Sequence, residues 1–217
     1  MANGRARRKS VTGIAIYVEG GGDSRDGKAQ LRQGFDALLE PQKSAARARK
    51  LHWKVVLCGG RGATFDAFQH ATATAGSEVV GLLVDAEGPV ASSTPHGRVA
   101  HLAKRDGWSL QTIAAERVHL MTQCMEAWIA ADAEMLAAFY GKNFRSLLPR
   151  RRVLDDEPKD AVYTALDAAT RDTQKGSYGK IRHASELLRR IRPAIVAARC
   201  TSFQHFASWL HGAIAAA

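Results

Sequence analysis

The sequence predicts an α/β fold, a mostly parallel four-stranded sheet between helices with a helical C-terminal extension. Three observations carry this. Short apolar stretches alternate with helical stripes over residues 11–140, the pattern of parallel strands joined by crossover helices. The run Val79–Val84 is apolar without interruption, as suits a strand covered on both faces. Beyond Cys124 no convincing strand recurs.

Residues 11–18, Val-Thr-Gly-Ile-Ala-Ile-Tyr-Val, read as the first strand, and Gly20–Gly22 break the pattern after it. Leu31, Phe35, Leu38 and Leu39 then form a helical stripe that is expected to stop at Pro41. A second strand spans Trp53–Cys58. A short helical segment around Phe65 and Phe68 leads to the third strand, Val79–Val84. Another near Val99–Lys104 precedes a fourth strand at Val118–Met121. Met125, Trp128, Ile129, Met135, Leu136 and Phe139 predict one helix ending at Tyr140-Gly141. Residues 150–159 read as an exposed loop, and 161–169, 181–191 and 203–214 as helices.

The division that follows is a basic arm at 1–10 (Arg5, Arg7, Arg8, Lys9), an α/β domain at 11–140 and a helical extension at 141–217 packed on it. The chain has 217 residues, 46% hydrophobic and 24% charged, which excludes a disordered chain and a coiled coil. No apolar run approaches the roughly 20 residues that span a bilayer, so no membrane association is expected. The basic start lacks an apolar segment behind it, which predicts a cytoplasmic protein without a secretory signal. Cys58, Cys124 and Cys200 are widely spaced and unpaired in sequence, so neither a disulfide framework nor a zinc site is expected.

Charge points to a polyanionic partner. The net charge is +10, and it is concentrated. Residues 41–61 hold Lys43, Arg47, Arg49, Lys50, Lys54 and Arg61 with no acid. Residues 180–199 hold Lys180, Arg182, Arg189, Arg190, Arg192 and Arg199 against Glu186 alone, and Arg150, Arg151 and Arg152 form a third cluster. Phosphate contacts by such clusters release counterions and give affinity without sequence preference. Nucleic acid is the expected partner, with Arg150, Arg151, Arg152, Arg182, Arg189, Arg190 and Arg192 as the contacting residues. A merely solvated basic face is the plainer reading.

Ligand sites of open parallel sheets lie at the carboxyl ends of the strands. There the first strand ends in Glu19 and the third in Asp85-Ala86-Glu87, each beside a glycine. Carboxylates next to buried strand ends are costly unless paired or bound to a cation, and oxygen-only ligation suits Mg²⁺. The competing reading is a set of helix caps. Glu126 follows the fourth strand, and Lys180 heads a basic helix with His183 one turn on. A different class is suggested by Gly22 to Lys28, which has the spacing of a phosphate-binding loop. Ala29 stands where a Ser or Thr is needed, and Asp23 and Asp26 would put negative charge in the cradle.

Tyr17-Val18-Glu19-Gly20 and Leu83-Val84-Asp85-Ala86-Glu87-Gly88 resemble the two signatures of the Toprim fold, the metal-binding, Rossmann-like module of topoisomerases, primases and overcoming-lysogenization-defect type nucleases. Leu120-Met121-Thr122-Gln123-Cys124-Met125-Glu126-Ala127-Trp128, with Asp132, resembles small stand-alone Toprim-like proteins. The usual second signature is Asp-x-Asp, and here Glu87 takes the second place.

The resemblance implies phosphodiester cleavage. Asp85 and Glu87, with Glu19, would hold Mg²⁺ or Mn²⁺. Glu19 would serve as acid or base, Glu126 would join the site, and Lys180 would bring a cation to the phosphate. It further implies an effector of anti-phage defence coupled to an ATPase of the ABC or overcoming-lysogenization-defect type. The alternative is a non-catalytic module that binds nucleic acid or such an ATPase.

Overall fold

The computed structural model of the chain describes residues 11–217, and the basic arm expected over residues 1–10 lies outside them. Four strands, β1 (Gly13–Glu19), β2 (His52–Gly59), β3 (Glu78–Asp85) and β4 (Val118–Met121), form one all-parallel sheet in the order β2-β1-β3-β4. β1 and β3, buried on both faces, supply the two strand ends that carry Glu19 and Asp85.

Side chains alternate across the sheet because successive Cβ atoms of a strand point to opposite faces. Val80, Leu82 and Val84 of β3 pack with Phe65 and Phe68 of α3 (Arg61–Thr74) and Leu102 of α4 (Pro95–Asp106). Ile14, Ile16 and Val18 of β1 and Leu83 of β3 face the other way, into a larger core. That core takes Leu31, Phe35 and Leu38 from α1 (Arg25–Leu38) together with the apolar stripes of the C-terminal helices.

The C-terminal helices thus share one face of the sheet with α1. α8 (Lys180–Leu188) lies along α1 so closely that a Cβ on Gly34 would sit 2.8 Å from the Ser185 carbonyl oxygen. α10 (Thr201–Ala215) lays Trp209 over β3, where a Cβ on Gly81 would meet the indole at 2.5 Å. Gly81→Ala should therefore lower stability by about 1–3 kcal/mol through overpacking. Trp209→Leu in the same chain should recover most of that loss. Additive losses in denaturant titration would show that the two positions are not in contact.

The first helix does end just before Pro41, but a second, unexpected helix follows it. α1 stops at Leu38, and α2 (Glu40–Ala48) begins at once with Pro41 in its first turn, where the missing N–H has no partner to lose. The single helix expected over Met125–Tyr140 is two, α5 (Met125–Ala130) and α6 (Ala133–Tyr140). Asp132 separates them, accepting the Met135 N–H as an N-cap. The segments around Phe65 and Val99 are full helices of 14 and 12 residues. The loop expected at 150–159 carries the wholly buried Leu154, and Asp155 accepts both the backbone N–H and the hydroxyl of Ser202. It is followed by α7 (Lys159–Thr170), and α9 (Pro193–Arg199) lies between α8 and α10.

A candidate acidic centre at the strand ends

Glu19 is the last residue of β1, and the chain then turns through Gly20, Gly21 and Gly22, all at positive φ. Gly20 and Gly59 pair across the ends of β1 and β2, and a Cβ on Gly20 would strike Leu31 at 2.8 Å. Ser24 caps α1 through the Gly27 N–H, so Gly27 and Lys28 already lie within the helix.

Asp85 ends β3 with only 3% exposure. Its Oδ1 accepts the Met125 N–H at 2.8 Å, and the Glu19 Oε2 accepts the Asp85 N–H at 3.3 Å. Glu126, in the first turn of α5 behind β4, is fully buried. Lys180, the first residue of α8, reaches in between them. Its Nζ is 3.4 Å from Asp85 Oδ2 and 3.6 Å from Glu126 Oε1. Tyr178 donates its hydroxyl to the same Glu126 Oε1 at 3.1 Å, while Glu126 Oε2 is buried without a partner.

Burial pushes the Asp85 carboxyl up to about 7; Lys180 opposes the shift, and the charges of Glu126 and Glu19 add to it. Burial also works against the charge on Lys180, but Asp85 and Glu126 outweigh it and hold the ammonium above its ordinary range. Burial, with the charge of Glu126 behind it, raises Tyr163 and Tyr178, so both remain protonated, and Tyr178 is the one that donates to Glu126.

Two further cations brace the periphery. Arg61, at the start of α3, donates from Nη1 to Glu19 Oε2 at 2.9 Å and to the Asp85 carbonyl. Its Nε and Nη2 grip Asp106 at 2.9 and 2.8 Å, and its guanidinium lies 5.1 Å over the Trp108 ring. Glu87 pairs with Lys159 of α7, at the edge of the cluster.

Glu19, Asp85, Glu126 and Lys180 are thus brought together, and Glu87 stands beside them on a separate ion pair. Among the described residues no three His, Cys, Asp or Glu side chains converge closely enough to hold a metal ion as they stand. The chemistry of the set nevertheless suits a hard cation. A buried carboxylate oxygen lacks a partner, a neighbouring acid is strained by its charge, and a lysine ammonium sits between the two.

The arginines expected at nucleic acid divide. Arg150 and Arg152 are exposed, and Arg151 pairs with Glu157. Arg182, Arg189 and Arg190 are exposed on and just after α8, bonded to Ser177, Gln33 and Glu186 in turn. Arg192 is committed elsewhere, with Nε and Nη2 on the fully buried Asp132 at 2.9 and 2.6 Å. Arg61, Lys159 and Tyr178 escaped sequence reasoning as site residues. Arg61 was visible only as one member of a basic run.

All three cysteines are free, with Cys124 and Cys200 buried and Cys58 half-buried. No helix among the described residues is long and apolar enough to cross a membrane. One family model, described as a domain of unknown function, matches residues 18–211. No curated protein and no solved structure matches the chain.

Proposed function

Since the chain belongs to the DUF4276 family, defined as a domain of unknown function, we propose from the site itself that it is a Mg²⁺- or Mn²⁺-dependent nuclease. The observation that carries this reading is that Glu19, Asp85 and Glu126 all stand at the carboxyl-end side of a parallel sheet, with the Lys180 ammonium between Asp85 and Glu126. A pure polyanion binder gains nothing from carboxylates gathered opposite phosphates. Glu19, Asp85 and Glu126 would hold the cation, with Glu87 at its edge. Bound there, it would stabilise charge developing on a phosphate and lower the pKa of a water.

The chain's own groups supply the rest. Arg61 holds Glu19 Oε2 from one side, and the other carboxylate oxygen would serve as the proton acceptor. Lys180, drawn to metal-free Asp85 and Glu126, would be released toward a phosphate oxygen when another cation takes those carboxylates. Tyr178 orients Glu126 through its hydroxyl. Exposed Arg150, Arg152, Arg182, Arg189 and Arg190 would hold the strand by its phosphates. Coupling to an ATPase of the ABC or overcoming-lysogenization-defect type, as an anti-phage effector, follows from the resemblance to Toprim nucleases. The second reading, a non-catalytic module, is favoured by one feature, that Glu19, Asp85 and Glu87 already have protein cations.

Two measurements test the reading without knowledge of the substrate. Mg²⁺ should raise the melting temperature of the wild type, since a ligand bound only to the native state stabilises it by RT ln(1 + [L]/Kd). Asp85→Asn should lose most of that rise; an equal rise in both proteins would argue against a metal centre. Replacing Arg150, Arg189 and Arg190 by Gln should reduce the slope of log affinity against log salt by up to about three. An unchanged slope would remove these residues from the interface.

A further inference from the structure

A cavity of about 410 Å³ opens beside the edge strand β4, lined by Val90, Arg98, His119, Gln123, Asp156 and His205 among others. Its charge distribution is unusual. Arg98 is only 8% exposed, yet it forms no ion pair among the described residues. Its Nε donates to the Val118 carbonyl at 2.7 Å and its Nη1 to the Ser93 carbonyl at 2.6 Å, which leaves Nη2 without a partner among them. Nη2 is not shut away from solvent but opens on the cavity, where its N–H groups are free to meet a ligand.

The other walls bring no second cation for a phosphate group. His119 and His205 remain neutral, both held below the ordinary histidine range first by burial and then by the Arg98 charge. Two carboxylates, Asp155 and Asp156, line the cavity together with its one cation, whose own nearest acid is Glu116. Asp155 is occupied by Ser202, whereas Asp156, exposed on its turn, accepts nothing from the described residues. The cavity therefore offers Nη2 and the second Nη1 hydrogen of Arg98 as donors and an unmet carboxylate, and it suits a neutral, flat group with acceptors on one edge and two adjacent N–H donors on another.

Among the nucleobases only guanine has both edges. Its O6 and N7 match an arginine fork, and its N1–H and N2–H₂ match a carboxylate. We propose that this cavity is a binding pocket for a single guanine base, read by Arg98 on one edge and by Asp156 on the other. The inference deepens the nuclease reading, because Gln123 of the cavity wall accepts the Glu87 N–H through its backbone carbonyl and so adjoins the acidic centre. A base taken into the cavity would then belong to the strand whose phosphate lies at Asp85.

Titration calorimetry of the full chain in EDTA, where no metal-dependent cleavage occurs, tests this separately from catalysis. GMP should bind at least about tenfold more tightly than AMP, and a thymidine decamer with one central dG should bind more tightly than one with a central dA. A preference in both arms makes free nucleotide a ligand; a preference in the decamer alone assigns the pocket to a strand. Arg98 also supports two carbonyls, so its replacement can disturb folding, and exposed Asp156 is the informative position. Asp156→Asn should invert the choice from GMP to XMP, because xanthine carries a C2 carbonyl where guanine carries an amine. Equal binding of GMP and AMP together with equal binding of the two decamers, or a GMP preference that survives Asp156→Asn, overturns the proposal.

Discussion

Asp85→Asn should cut phosphodiester cleavage by about two orders of magnitude or more while leaving the metal-free protein equally or more stable. The two halves of this result have one cause. Asp85 is buried at a strand end with Glu126 and Glu19 as neighbours, and the charge it carries at neutral pH is disfavoured by desolvation first and by those acids next. Asn keeps the volume and can still accept the Met125 N–H, but it brings no charge into the site. Removing an unfavourable charge relieves the fold, and the same removal deprives a cation of a ligand and the transition state of its stabilisation. The opposite pattern, a loss of about 0.5–2 kcal/mol with cleavage intact, is what a simple cap of α5 would give.

The second large effect is a pH dependence carried by His119 of β4. His119 is 2% exposed, its ring centroid 4.6 Å from that of Trp209 and 5.1 Å from that of Phe206. Burial, with the Arg98 charge behind it, pushes its pKa down to about 3 from 6.5. The folded state therefore binds the proton less readily than the unfolded chain. This contribution is fully present above pH 6.5 and is lost as the pH falls toward the folded value. Between pH 6.5 and 4.5 the loss should reach about 2–3 kcal/mol, at 1.36 kcal/mol per unit. His119→Phe keeps an aromatic ring in the cluster and should flatten the stability profile over that interval. Parallel profiles for the two proteins would mean that His119 accepts a proton in the fold.

Much of the framework is legible in the sequence because strands buried on both faces leave continuous apolar runs. Val118–Met121 is bounded in the structure as its residues suggest, and β1 and β3 differ from expectation by a residue or two at each end. Helices rich in small residues are harder to read. α3, with Gly62, Ala63, Thr64 and Ala67 around its two phenylalanines, shows a weak stripe, and its 14 residues look shorter than they are. The break at Asp132 is invisible to periodicity, since the apolar spacing runs through it and only the cap bond to Met135 and the Arg192 pair reveal why the chain turns there.

At the site, residues that follow strands were legible from topology alone, so Glu19, Asp85 and Glu126 stand where expected. Their partners were not. Lys180 is 95 residues from Asp85 in sequence and Arg61 is 42 from Glu19, and nothing local marks either as an ion-pair partner. Pairings of that range are set by how α8 packs on α1 and how α3 begins behind β2. Arg192 shows the converse, a residue that reads as part of a basic cluster but is consumed by a buried acid in the fold.

The measurement that bears most directly on the account is cleavage by the purified chain of plasmid DNA, single-stranded DNA and tRNA, with Mg²⁺ or Mn²⁺ against EDTA. The account predicts that at least one substrate is cut with metal, that EDTA stops the reaction, and that Asp85→Asn reduces it at least about a hundredfold. Cleavage that persists in EDTA or in Asp85→Asn, or no cleavage of any of the three by the chain alone and with an ATPase partner, would contradict it.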